Sequence, residues 1–318
     1  MSIHIGIDEA GYGPTLGPLV LGCSAFRVRD SWVPSSFREV LGDLICDEAS
    51  GLPDRLPIGD SKQLYLGRKN LLALEAGALV FLAQGSHPAR FLEDLVSVGA
   101  GESALPWYRQ PVLDNSGREL PTCVAESLLE SLRTRLFREL PGRGLEPLPS
   151  RVSVILETQV NHSIDSTGNK AAMLLDHLEA LILDCCAGFP GEDVEFHVDR
   201  LGGRWYYEPF LRRLFPLRRL LVEREDDSIS RYQVTESGRK LCFAFEVDGD
   251  RSFLEVGLAS MCAKYVRELF MRRLNAYFRK IRPDLRPTAG YPEDARRFLR
   301  DIEDCIDTEQ RRLMVRRR

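Results

Sequence analysis

The sequence predicts an α/β domain built on a mixed sheet. Residues 2–8 and 193–199 place apolar side chains at every second position, the period of a strand. Residues 169–186 and 252–279 place them at helical spacing. Strand-like and helix-like segments follow one another along the chain, an order that favours an α/β architecture.

In residues 2–8, Ile3, Ile5 and Ile7 alternate with His4 and Gly6. Gly11, Gly13, Pro14, Gly17 and Pro18 then mark a tight turn region, and residues 19–28 read as a second strand completing a hairpin. Residues 67–80 have helical spacing. Residues 85–150 read as an insertion, rich in turns, with a helix at 123–140 and a linker at 141–150. A strand is expected at 151–160, a helix at 169–186, a strand at 193–199, a helix at 206–214 and a short strand at 217–222. A hairpin turning at Glu236-Ser237-Gly238 precedes the long helix 252–279, and residues 291–308 hold one or two further helices. The expected division is a domain over residues 1–285 carrying the 85–150 insertion, followed by a C-terminal helical extension over 286–318. The closing arginines Arg316, Arg317 and Arg318 read as a solvated, frayed end.

The chain has 318 residues, 44% hydrophobic and 28% charged, enough for a sizeable core. Its formal net charge of −4 excludes a strongly basic coat, although a local stripe suffices for phosphate contacts. Arg200, Arg204, Arg212, Arg213, Arg218 and Arg219 are candidates for such a stripe; the alternative is a solvated helix face. Eight cysteines show no CxxC spacing and read as reduced, mostly buried thiols of a cytoplasmic protein. No secretory leader or membrane span is expected: the longest apolar run, 178–187, is short and carries Glu179 and Asp184.

Asp8 and Glu9 end an apolar strand and precede glycines. Asp199 ends another and precedes Leu201-Gly202-Gly203. Acids at the ends of two adjacent strands would converge, and carboxylates that close repel unless hard divalent cations such as Mg²⁺ or Mn²⁺ separate them. Glu268 lies on the long helix, beyond the small residues Gly257, Ala259, Ser260 and Ala263, which let a helix approach a sheet closely. Four such carboxylates suit a two-metal phosphodiester hydrolysis.

The segment Gly6-Ile7-Asp8-Glu9-Ala10-Gly11-Tyr12-Gly13-Pro14, followed by Gly17-Pro18, closely resembles the opening motif of type 2 ribonucleases H. Asp60-Ser61-Lys62-Gln63-Leu64 resembles the family's DSK-x-L. His197-Val198-Asp199 with Leu201-Gly202, Tyr207, Leu211, Phe215 and Pro216 is similar to its third-carboxylate segment. The run from Leu258 to Glu268 is similar to its AAS-x-x-AKV-x-RD helix, and Gly290-Tyr291-Pro292 to its late GYP. The five segments stand in the family's order, while residues 85–150 and 226–247 have no counterpart.

The resemblance implies a ribonuclease H-like fold, with a mixed central sheet flanked by helices. It implies a metal-dependent endonuclease acting on RNA/DNA hybrids or on ribonucleotides embedded in duplex DNA, with a two-metal Mg²⁺ or Mn²⁺ site. By the same resemblance Asp8, Glu9, Asp199 and Glu268 are the catalytic and metal-binding carboxylates, Glu268 standing where the family has aspartate. Gly11 and Gly13 would bring backbone amides close to the sugar-phosphate, in reach of a 2′-hydroxyl. Tyr12 takes the place of a family arginine, able to stack on or hydrogen-bond a sugar. Lys62 and Lys264 would be cationic partners of phosphate or carboxylate, and Tyr291 would pack beside the cut. Two other readings stay open at this point: a non-catalytic nucleic-acid-binding relative, and a nuclease for structured DNA.

Overall fold

The structure, a computed structural model, describes residues 1–29, 37–48, 50, 52–65, 71–82, 88–96, 105–201 and 204–317. Its strands are β1 (Ser2–Ala10), β2 (Leu19–Val28), β3 (Ile45–Cys46), β4 (Leu56–Pro57), β5 (Leu145–Ile155), β6 (Asp193–Asp199), β7 (Arg219–Glu225), β8 (Ile229–Glu236) and β9 (Arg239–Glu246). The helices are α1 (Phe37–Leu41), α2 (Ser61–Tyr65), α3 (Leu72–Leu82), α4 (Glu126–Glu139), α5 (Glu157–Thr167), α6 (Lys170–Gly188), α7 (Glu208–Leu214), α8 (Gly249–Ser252), α9 (Leu254–Ile281), α10 (Pro292–Asp301) and α11 (Thr308–Met314).

Seven strands form one mixed sheet in the order β5-β2-β1-β6-β9-β8-β7. β1 runs antiparallel to β2 and parallel to β6, and β6 runs parallel to β9. The expected hairpin at the N-terminus and the adjacency of the two acid-tipped strands are therefore both present.

Period-two alternation decides which side chain meets which layer. Ile3, Ile5 and Ile7 of β1 and Val194, Phe196 and Val198 of β6 face one core, together with Leu174, Leu178 and Ile182 of α6 and Phe210 and Leu211 of α7. The opposite face of the same strands is left to His4, Gly6 and Asp8 and to Glu195, His197 and Asp199. Helix α9 covers that face. A Cβ at Gly6 would stand 2.1 Å from the carbonyl carbon of Glu255, and one at Gly22 would stand 2.0 Å from the carbonyl oxygen of Ala259. The helix backbone thus lies directly on β1 and β2, as the small residues Ala259 and Ala263 suggested. Ser24 Oγ fastens the contact by donating to the Glu255 carbonyl at 2.7 Å.

Residues 88–145 contribute Leu92, Leu105, Trp107, Tyr108, Leu120, Leu132 and Leu136 to the core that also contains α3 and α9. Buried Arg273 of α9 holds Glu119 at 2.5 Å and Glu93 at 2.6 Å, tying this region to the long helix. Buried Glu75 of α3 accepts backbone N–H bonds from Thr122, Cys123 and Val124 and the hydroxyl of Tyr265.

Three expectations need correction. Residues 141–150 are not a linker: after a short 3-10 turn, β5 begins at Leu145 and ends at Ile155, where a strand to residue 160 was expected and α5 follows instead. The C-terminal arginines are not all solvated, because Arg316 is 2% exposed. Of the eight cysteines, all free, four are buried rather than most. The expected helix over 67–80 is found as α3, while residues 67–70 lie outside the described residues. Among the described residues no helix is long and apolar enough to cross a membrane.

Candidate active site

Asp8 lies at the C-terminal end of β1 and Asp199 at the end of the neighbouring parallel strand β6. Parallel pairing puts both ends on the same edge of the sheet. One carboxylate oxygen each from Asp8, Glu9 and Asp199 lies within 4.8 Å of the others. Asp8 is 6% exposed. Its Oδ1 accepts the backbone N–H of Glu9 at 2.6 Å, and Ser260 of α9 stands beside it, its Oγ 2.9 Å from Ser61 Oγ. Asp199 Oδ1 accepts the backbone N–H of Gly249 at 2.8 Å, so α8 sets the orientation of this acid.

Crowding and burial act in one direction. Burial, then the charges of Glu9 and Asp199, push the Asp8 carboxyl well above its ordinary range. Burial and Asp199 push Glu9 up to about 7, and burial, with Asp250 and Asp248 nearby, pushes Asp199 up to about 6. Lys62 of α2 opposes this at both Glu9 and Asp199. Glu9 Oε2 is buried and has no hydrogen-bond partner among the described residues. An all-oxygen donor set with an orphaned carboxylate oxygen fits a hard divalent cation such as Mg²⁺ or Mn²⁺.

Glu268 does not join this close group. Its Oε2 accepts the hydroxyl of Tyr65 at 3.0 Å, and its Oε1 lies 3.5 Å from Arg267 Nη1. It sits eight residues beyond Ser260 on α9, roughly 12 Å along the helix axis. Lys264 stands between, with Nζ 4.8 Å from the Tyr65 ring centroid and under the influence of Glu268, Lys62 and Asp60. The structure therefore brings Asp8, Glu9 and Asp199 together, with Lys62 beside them, and leaves Glu268 outside that 4.8 Å group, hydrogen-bonded to Tyr65.

The loop after β1 is shaped from below. Gly11 has φ +92°, and a Cβ there would meet the Arg267 side chain at 2.6 Å and the Pro18 carbonyl at 2.7 Å, so glycine is required on both counts. Gly13 has open space where a Cβ would be. Arg316 donates to the carbonyl oxygens of Gly11 and Pro14, and its backbone N–H donates to Thr15. The C-terminal tail thus fixes the loop. Lys170, the first residue of α6, places Nζ 4.3 Å from the Tyr12 ring centroid and donates to the Tyr12 carbonyl. Tyr291 is half exposed beside Arg267.

Four of the six arginines of the candidate basic stripe are engaged within the protein, three of them by carboxylates. Arg200 is buried and donates to the carbonyls of Asp226 and Asp227. Arg212 pairs with Glu208, Arg213 with Asp176 and Glu179, and Arg218 with Glu236. Gly202 and Gly203 lie outside the described residues.

Residue-by-residue reading missed Asp250, Ser260, Lys170 and Arg316 as parts of this neighbourhood. Asp250 is buried beside Asp60, and its two-residue offset from Asp248 on a one-turn helix leaves no periodic signal. Lys170 was legible as the first residue after the helix cap Asn169, but its position over Tyr12 depends on how α6 packs.

No family model matches the sequence, and no curated protein matches it. Solved structures do. The chain is similar to a structure of the PCNA:RNase HII complex from Archaeoglobus fulgidus, at 16% identity over 99% of this chain and 94% of that one, with a TM-score of 0.43. It is similar to ribonuclease H2 from Pyrococcus horikoshii, at 14% identity over 99% and 92%, with a TM-score of 0.40. It is also similar to Bst RNase HIII in complex with Mn²⁺, at 14% identity over 98% and 65%, with a TM-score of 0.40. At such identities the chemistry has to be read from this chain's own residues.

Proposed function

We propose that the chain is a divalent-metal-dependent endonuclease that hydrolyses the RNA strand of RNA/DNA hybrids, or ribonucleotides embedded in duplex DNA. The carrying observation is the convergence of Asp8, Glu9 and Asp199 within 4.8 Å, with a buried Glu9 oxygen left unpaired. The five motif segments that resemble type 2 ribonucleases H support the choice of substrate.

In this reading Asp8, Glu9 and Asp199 hold Mg²⁺ or Mn²⁺, and Glu268 is the outlying fourth carboxylate. Bound there, such ions supply Lewis-acid stabilisation to the attacking and leaving oxygens of an in-line displacement. The protein's own groups do the rest. The backbone N–H groups of Gly249 and Glu9 hold Asp199 and Asp8 in place. Lys62 balances the surplus negative charge. The loop clamped by Arg316 presents Gly11, Tyr12 and Gly13 to the sugar-phosphate, where a backbone group senses the 2′-hydroxyl. Tyr291 offers its exposed ring beside the cut. The setting this reading expects is the cytoplasm, which keeps the eight thiols reduced.

Tyr12 stands where the family motif has arginine, and Lys170 lies on its ring. We assign Lys170 the phosphate-binding charge that arginine would bring. Lys170→Ala is expected to weaken binding to a hybrid duplex and to reduce the slope of log affinity against log salt by about one. An unchanged slope would remove Lys170 from the interface.

The function is tested by cleavage with Mg²⁺ or Mn²⁺ of matched RNA/DNA, single-ribonucleotide and all-DNA duplexes. Cutting confined to ribonucleotide-containing substrates is expected. Cutting of all-DNA structures would transfer the activity to another substrate, and binding without any cutting would make the chain a nucleic-acid-binding relative.

A further inference from the structure

The same face of β1 and β6 that ends in the carboxylate cluster begins in a second one. Moving toward the strand starts, the residues directed at α9 are Gly6 and His4 on β1, and His197 and Glu195 on β6. In the parallel register His4 lies opposite Glu195, and Gly6 opposite His197. Helix α9 rests on Gly6 at Glu255 and Val256, so its first turn separates the two clusters. From the geometry we propose that His4, His197 and Glu195 form a second metal site, for a zinc-class divalent cation, with Glu255 and Ser2 orienting the two imidazoles.

Each histidine has one ring nitrogen engaged and the other directed at the same carboxylate. His197 Nδ1 lies 2.5 Å from Glu255 Oε1, where its N–H donates to a carboxylate only 3% exposed. The His197 ring is also stacked on Phe253, with centroids 3.9 Å apart and planes 7° from parallel, which fixes its orientation. His4 Nε2 lies 3.2 Å from Ser2 Oγ. The remaining nitrogens, His4 Nδ1 and His197 Nε2, are each 3.8 Å from Glu195 Oε2.

A tetrahedral zinc ion bonds to imidazole nitrogen and carboxylate oxygen at about 2.0–2.2 Å, which separates its ligands by roughly 3.3–3.5 Å. The two nitrogen–oxygen gaps of 3.8 Å to Glu195 close by a few tenths of an ångström on binding, and the two imidazole nitrogens converge on the ion with them. A ligand atom from each of His4, His197 and Glu255 lies within 4.8 Å of the others, so the two imidazoles stand close together with the supporting carboxylate beside them, and Glu195 approaches from the cavity side. Metal-binding histidines characteristically give their second nitrogen to a carboxylate or another hydrogen-bonding group, which sets tautomer and ring direction. Both histidines here do so.

Access is provided by a cavity of about 760 Å³ lined by His4, Glu195, His197, Phe253 and Glu255. It leaves room for water as the fourth ligand. The nitrogen-rich donor set selects zinc-class ions over Mg²⁺, in contrast to the all-oxygen cluster at the other end of the strands. A plain His197–Glu255 ion pair would explain one histidine and one acid. It leaves unexplained why a second imidazole and a second carboxylate meet the free nitrogen.

The test uses the full chain stripped of metal, titrated with Zn²⁺ by calorimetry and with Co²⁺ by visible absorption. One high-affinity Zn²⁺ and tetrahedral Co²⁺ bands are expected in both the wild type and Asp8→Asn, which leaves this site intact. His4→Gln and Glu195→Gln should lose the bands and most of the affinity. Glu255→Gln should weaken binding by about 10–100-fold. The Glu195 side chain is 43% exposed while His4 packs on Phe37, so the folding of each variant is checked by circular dichroism and Glu195→Gln carries the assay even if His4→Gln or Glu255→Gln unfolds. No Zn²⁺ binding beyond what Asp8→Asn removes, or undiminished binding in His4→Gln, overturns the proposal.

Discussion

Asp8→Asn is expected to lower cleavage by at least about 10³-fold, roughly 4 kcal/mol of barrier, while making the metal-free protein more stable. The two effects have one cause. Asp8 is buried against Glu9 and Asp199, and all three carboxyls are pushed above their ordinary range, first by burial and then by neighbouring acids: Glu9 and Asp199 at Asp8, Asp199 at Glu9, and Asp250 and Asp248 at Asp199. An amide of the same shape takes one ionisable carboxyl out of that buried group. It also removes a ligand oxygen that no neighbour replaces.

The sign of the pH dependence follows. A carboxyl whose folded pKa is raised stabilises the fold fully below its unfolded value, and that contribution is lost as pH rises through the folded value. The unfolded values are 3.8 for aspartate and 4.5 for glutamate, and the folded ones reach about 6 for Asp199 and about 7 for Glu9. In chelator, the wild type should lose stability between about pH 4 and pH 7. Asp8→Asn should flatten that loss and raise the melting temperature near neutrality, by roughly 2–4 °C for each kcal/mol of repulsion relieved. Thermal melts in chelator across that pH range check it. A variant less stable than the wild type at neutral pH would show that repulsion does not govern the site.

The largest effect on folding is expected from Gly22→Ala. The added carbon would stand 2.0 Å from the Ala259 carbonyl oxygen and 3.2 Å from the Ala263 side chain. Neither neighbour is the flexible end of a long side chain. Strand β2 is paired on both sides, to β1 and β5, and α9 is pinned to it by Ser24, so neither element can withdraw alone. Overpacking of this kind typically costs 1–3 kcal/mol and more where backbone must move. About 3 kcal/mol, or a fall of roughly 6–12 °C in melting temperature, is expected. Gly13→Ala is the control, because a Cβ there meets only open space. Equal melting temperatures for Gly22→Ala and the wild type would mean that α9 does not lie on the sheet as described.

The parts of the fold legible in the sequence are those where one physical rule acts alone. Ile3, Ile5 and Ile7, and then Val194, Phe196 and Val198, alternate because each strand has one face in a core and the other under α9. That alternation also made Asp8 and Asp199 conspicuous as charges on strand ends. Helix α9 was legible from spacing, and its closeness to the sheet from Ala259 and Ala263.

β5 was hidden by Pro147 and Pro149, which read as linker residues. The structure places β5 at the edge of the sheet, where one side of the strand needs no donors and proline is tolerated. Arg316 was hidden by its company, since a run of arginines at a chain end looks solvated. It is buried because the Gly11 and Pro14 carbonyls converge on it, a contact between residues some three hundred positions apart. Glu268 accepts the hydroxyl of Tyr65, a partner some two hundred positions away that no local pattern announces.

The central claim is that Asp8, Glu9 and Asp199 together bind a hard divalent cation. Its most direct test is Mn²⁺ binding, followed by electron paramagnetic resonance, to metal-stripped protein carrying His4→Gln so that only the carboxylate cluster is read. Binding is expected in that background and should weaken by about 10²-fold or more when Asp199→Asn is added, the loss of one of the few charged oxygens that define the site. Mn²⁺ bound equally well with and without the Asp199 carboxylate would contradict the account.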